Sequence, residues 1–177
     1  RQKALLLGGT LVVASVGLFL TSRFVRPSTG WAKGSPRPVL LVRVAPDQFL
    51  HAPVAYDFIR MKRAAAAAGV NIVVNSGFRS MSSQIRLYVE HLIAGGLKIP
   101  KTELLRMVVQ PGWAPPGGIK PTPPTARPGF SDHQHGAAVD VESAGGTNAA
   151  YGWLTTNAAK YNFVRDVVGE TWHLTHY

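Results

Sequence analysis

The hydrophobic pattern divides the chain into an apolar head, a weakly patterned stretch, and a region where helical and strand-like periods alternate. From Ala4 to Ser22 no charge occurs over 19 positions, and Leu, Val, Gly, Ala and Phe dominate. Such a run just spans a hydrocarbon core of about 30 Å. It predicts a membrane segment or secretion signal rather than a core helix, which would keep a polar face. No small-x-small cleavage site follows, which favours an uncleaved N-terminal transmembrane helix within residues 1–22. Residues 23–46, with Pro27, Gly30, Gly34, Pro36 and Pro38, read as a linker ending in a short strand-like stretch, Val39 to Val44.

A single domain is expected over residues 47–177. Pro53 to Ala68 predicts a helix, with Ala55, Phe58, Met61, Ala65 and Ala68 near one face and Gly69 at its stop. Asn71 to Val74 predicts a buried strand, and Ser82 to Ala94 a second helix that ends at Gly95-Gly96. A weaker helix follows over Thr102 to Val109. Seven prolines and four glycines between Pro111 and Gly129 forbid regular structure, so this segment is a long loop, either the wall of a cleft or a surface excursion. A strand (Ala137 to Val141), a helix (Tyr151 to Lys160) and a closing strand (Thr171 to Tyr177) complete the pattern, without internal repeats.

Composition narrows the chemistry. The chain has 177 residues and no cysteine, which excludes disulfide frameworks, thiolate metal sites and cysteine nucleophiles. Its net charge is +10, but residues 1–37 hold six Lys or Arg and no acid, leaving thirteen bases against nine acids beyond. Cations clustered beside an apolar run suit membrane headgroups. No basic helix or aromatic-basic interleaving points to nucleic acid.

Any metal must therefore be held by His, Asp or Glu. His133 and Asp140 bracket Gly136 and small apolar residues, so a turn-borne imidazole and a strand-borne carboxylate can converge, as a metal pair or as a hydrogen-bonded structural pair. Glu170 and His173 lie near the start of the last strand, where alternation would aim them at opposite faces. They share a site only if Gly169 and Glu170 form a turn or bulge. With that turn, two His and one Asp make a three-ligand shell with an open position beside a free Glu170. Arg79, in Ser76-Gly77-Phe78-Arg79-Ser80, is either a surface charge or a planar fork for a carboxylate or oxyanion. His51, His91 and His176 read as ordinary polar residues.

Ser131-x-His133-x-x-Gly136-x-Ala138-x-Asp140, then Glu170-x-Trp172-His173, preceded by the Ser-Gly-aromatic-Arg-Ser block and Gln84, resembles the VanY-type D-alanyl-D-alanine carboxypeptidases. These are zinc peptidoglycan peptidases, a group that also includes VanX-type dipeptidases and phage L-alanyl-D-glutamate endopeptidases. The resemblance implies an α+β fold: a small antiparallel sheet carrying the zinc site, with helices packed on it. It implies one Zn2+ on His133, Asp140 and His173, and Glu170 as catalytic base. Arg79 would stabilise the substrate's carbonyl oxygen or carboxylate, with Gln84, Ser131 and Trp172 at the substrate site. His135 ranks below His133 as a ligand, because only His133 has the family spacing. Phe78 stands where Tyr is common, and Thr171 where Pro is frequent. The implied substrate is the peptidoglycan stem peptide, reached from the extracytoplasmic side of the cell membrane. Endopeptidase, dipeptidase and silent wall-binding readings stay open, the last opposed by the retained Glu170. No feature of the sequence speaks to oligomeric state.

Overall fold

A computed structural model describes residues 24–177. The transmembrane helix expected within residues 1–22 lies outside them; among the described residues no helix is long and apolar enough to cross a membrane. The fold is α+β with two small antiparallel sheets. The first has the order β1 (Val25–Ala32), β2 (Ser35–Ala45), β3 (Gln48–His51). The second has the order β4 (Val74–Ser76), β5 (Ala138–Val141), β7 (His173–His176), β6 (Phe163–Val164). The helices are α1 (Ala52–Ala67), α2 (Met81–Ala94), α3 (Lys101–Met107) and α4 (Ala149–Asn157).

The linker expected over residues 23–46 is instead a β-hairpin, and the expected single sheet is two. Lys33 and Gly34 both have positive φ, at 50° and 77°, which is the two-residue turn geometry whose twist matches antiparallel strands. The prolines that suggested a tether sit where a strand tolerates them. Pro27 lies on the edge strand β1, and Pro36 and Pro38 pair with β1 at positions that β3, reaching only to Leu41, leaves open on the other side. Val39 and Leu41 of this hairpin are buried.

The main core joins α1 to both sheets. Val54, Ala55, Phe58, Met61 and Ala65 of α1 pack with Leu50, Val139, Val141, Phe163 and Leu174. Each fully buried side chain of this size is worth about 1.5–3 kcal/mol of transfer free energy, so the hairpin and the second sheet are held by one apolar mass. A second cluster, with Tyr88, Val89, Leu92 and Leu104, seats α3 on α2. Ser80 caps α2 by accepting from the Ser83 N–H at 3.2 Å. The strand expected over residues 71–74 lies slightly later, at Val74–Ser76, with Ile72 buried in irregular backbone. The residues between Pro111 and Gly129 form the expected long loop, with one 3₁₀ turn at Pro116–Gly118.

Candidate metal centre

The second sheet assembles the chemistry. Antiparallel pairing of β5 with β7 sets Asp140 opposite His173. His133 arrives from a 3₁₀ turn, Asp132–His135, that ends at Gly136 in the left-handed conformation and turns the chain into β5. Ligand atoms of His133, Asp140 and His173 all lie within 4.8 Å of one another. His133 Nε2 is 3.3 Å and His173 Nδ1 is 2.9 Å from Asp140 Oδ1, so three donors face one point. Nitrogen and carboxylate donors in this number fit a divalent transition ion.

The ring of His133 is oriented from behind. Its Nδ1 donates to the Gly77 carbonyl at 2.8 Å, which leaves the Nε2 lone pair for a cation. Gly77 is itself fixed by donating to Gln48 Oε1 at 2.8 Å, and a Cβ there would lie 2.5 Å from the Phe49 carbonyl oxygen. The backbone of β3 thus braces the segment behind the first ligand, while the Arg79 N–H donates to the His133 carbonyl at 2.9 Å. Gln48 carried no signal in the sequence, because its partner is 29 residues away and only tertiary folding brings them together.

Glu170 is aimed by the turn that strand alternation demanded. Gly169 has φ 86°, the Glu170 N–H donates to Val167, and the His173 N–H donates to the Glu170 carbonyl. Glu170 Oε2 then lies 3.8 Å from His173 Nδ1, beside the trio. Two side chains pin the turn: Arg165 Nε donates to the Thr171 carbonyl at 3.0 Å, and the Thr171 and Ser143 hydroxyls bond at 2.8 Å.

Charge at the centre is strongly coupled. Burial pushes the Asp140 carboxyl upward, but hydrogen bonds and charge from His133 and His173 outweigh it and hold Asp140 well below the usual carboxylate range. Burial pushes His173 downward, yet its bond to Asp140 and the charges of Asp140, Glu170 and Asp166 raise it overall. Arg79 is lowered by burial, against the opposing pull of Asp140 and Glu170.

The trio opens into a cleft of about 500 Å3, lined by Gln84, Ala126, Phe130, Ser131, Glu170 and Trp172 among others, with Arg79 on its wall. Gln84 is fully buried and both ends of its amide are engaged: Oε1 accepts from Arg79 Nη1 at 3.0 Å and Nε2 donates to the Ala126 carbonyl at 2.7 Å. It therefore ties Arg79 to the long loop, which is a wall of the cleft. Ser131 is buried at the cleft, and Trp172 is partly exposed on its rim. The other histidines stay outside the trio. His51 bonds the Leu40 carbonyl, His91 bonds Thr125, His176 bonds Asp57, and the buried Nδ1 of His135 has no partner among the described residues.

Three convergent candidate ligands at a cleft, with a carboxylate beside them and a guanidinium lining the same cleft, are equipment that suits a metal-dependent hydrolase. Residues 47–177 match the family VanY: D-alanyl-D-alanine carboxypeptidase. The chain belongs to this family of zinc peptidoglycan carboxypeptidases. Among solved structures it is similar to a mutant of the vancomycin-resistance D,D-pentapeptidase VanY from a VanB-type resistance cassette, in complex with Zn(II). That match has 23% identity and TM-score 0.56, and covers 82% of this chain and 85% of that one. VanYB in complex with D-Alanine-D-Alanine matches at 22% identity and TM-score 0.56, over 82% and 83% of the two chains. The LdcB LD-carboxypeptidase matches at 22% identity and TM-score 0.53, over 76% of this chain and 62% of that one. At these identities the likeness speaks for the fold. No curated protein matches the sequence.

Proposed function

We propose that the domain is a zinc-dependent D-alanyl-D-alanine carboxypeptidase that removes the terminal D-alanine from peptidoglycan stem peptides. It acts on the wall side of the cell membrane, held there by the apolar run within residues 1–22. The observation that carries the reading is the convergence of His133, Asp140 and His173 beside Glu170, in one cleft with Arg79, within a chain of this family. The complex of the similar VanYB with D-Alanine-D-Alanine supports the substrate.

Zinc held by His133, Asp140 and His173 would supply a Lewis acid that polarises a carbonyl and acidifies water at neutral pH. Glu170, next to the ligands without being one of them, takes the proton from the attacking water and returns it to the departing amine of D-alanine. Arg79 offers a planar fork to the substrate's carboxylate or to the developing oxyanion, and Gln84 keeps that fork from rotating away. Ser131 and Trp172 line the cleft in which the peptide would lie.

The purified protein, loaded with zinc and incubated with a stem pentapeptide, should release one alanine, read as a single mass loss. Glu170→Ala should retain stoichiometric zinc and the fold while losing turnover by several orders of magnitude; hydrolysis at the wild-type rate would remove Glu170 from its role. Loss of a dipeptide or internal cleavage would reassign the substrate to a sister activity.

A further inference from the structure

His133 is oriented by a backbone carbonyl, whereas His173 is oriented by side chains. The ring of His173 has Asp140 at Nδ1 and the Thr175 hydroxyl at Nε2, 3.2 Å away. Thr175 Oγ1 in turn donates to Asp166 Oδ1 at 2.8 Å. The order of this chain follows from the sheet. His173 and Thr175 are two apart on β7 and share a face. Val164 of β6 pairs with Thr175, so the chain leaving β6 carries Asp166 back to the same place.

A hydroxyl has a single proton, and a carboxylate only accepts. Once Thr175 has given its proton to Asp166, it can meet the imidazole only as an acceptor, so Nε2 must carry the hydrogen. In the metal-free protein Nδ1 also donates to the Asp140 carboxylate, so the ring carries both hydrogens; with Nε2–H held by Thr175, the proton that gives way to a cation is the one at Nδ1, on the side where Asp140 and Glu170 lie. We propose that Thr175 and Asp166 are positioning residues that set the tautomer and rotation of His173 so that it offers Nδ1 to the metal. The inference rests on the zinc-site reading above and goes beyond it, because neither residue touches the trio's focus. The two imidazoles of the site thus present opposite nitrogens, His133 through Nε2 and His173 through Nδ1, each with its far nitrogen tied down.

The test measures zinc affinity of the full chain by competition with a chromophoric chelator, beside melting temperature and the kinetics of pentapeptide hydrolysis. Thr175→Val keeps the branched shape and removes the hydroxyl; zinc binding should weaken by about 10–100-fold, the range for lost outer partners of metal ligands. Thr175→Ser should restore affinity to within about threefold of the starting chain, since it supplies the same hydroxyl. Asp166→Ala, on an exposed residue, removes the acceptor of the Thr175 hydroxyl; it should weaken zinc binding to a smaller degree and serves as the deciding variant if Thr175→Val fails to fold. Zinc affinity unchanged within twofold in a folded Thr175→Val, or in Asp166→Ala where it decides, would overturn the relay while leaving the centre intact. A starting chain that binds no stoichiometric zinc would overturn the centre and the relay together.

Discussion

Gly136 is the point where β3 and the metal loop press on each other, and Gly136→Ala puts a number on that contact. The residue has φ 75°, and an added Cβ would lie 2.6 Å from the His51 backbone nitrogen and 3.3 Å from His51 Cβ. The left-handed conformation costs a non-glycine residue about 1–2 kcal/mol. Overpacking against backbone, which cannot rotate away as a side chain can, adds about 1–3 kcal/mol. The stiffer unfolded chain gives back about 0.4–1 kcal/mol. The net loss is about 1–4.5 kcal/mol, or roughly 2–18 °C in melting temperature for a domain of this size. Zinc affinity should fall as well, because His133 and Asp140 lie on either side of the displaced turn. Gly117→Ala is the control: φ is 66° there, but nothing stands within 4 Å of the added carbon, so only the conformational cost remains. Thermal unfolding followed by circular dichroism and a chelator titration read both effects. A Gly136→Ala protein that melts within 2 °C of its Gly117→Ala counterpart would refute the claim that β3 braces the metal loop.

Two further outcomes follow from the same geometry. A chain starting at residue 47 keeps the family-matched region but loses Val39 and Leu41; at about 1.5–3 kcal/mol per buried side chain, it should be several kcal/mol less stable by urea unfolding than a chain starting at residue 24. The raised pKa of His173 stabilises the metal-free protein fully below about pH 6.5 and loses that contribution as pH rises through the elevated value. Its melting temperature should accordingly fall in that window, while zinc affinity, which requires the proton to leave, should climb across it and then level off; an affinity that does not change with pH there would remove His173 from the ligand set.

Much of the candidate site was legible because its signals are local. His133 and Asp140 are seven residues apart around a glycine turn, and the structure closes that turn with Gly136 in the left-handed region. The conflict between Glu170, His173 and strand alternation stated in advance that a turn must intervene, and Gly169 supplies it. The hairpin was not legible. Its prolines and glycines share a composition with tethers, and Pro36 and Pro38 fit a strand because the pairing of β3 with β2 ends at Leu41 and leaves their far side free. Gln84 looked like a cleft residue, but its amide is spent on Arg79 and Ala126, a fact that depends on where the long loop returns.

The sequence by itself determined which groups can do chemistry, where the helices lie, and that one loop must be irregular, since side-chain identity, periodicity and proline content are properties of short windows. Tertiary structure alone decided that Gln48 and Gly77 stand behind His133, that Thr175 and Asp166 stand behind His173, and that residues 25–45 pair into strands. Each of these is a contact between segments remote in sequence or joined only through a sheet. Hydrogen bonds of about 3 Å depend on how the chain crosses itself, and no short window of residues carries that information.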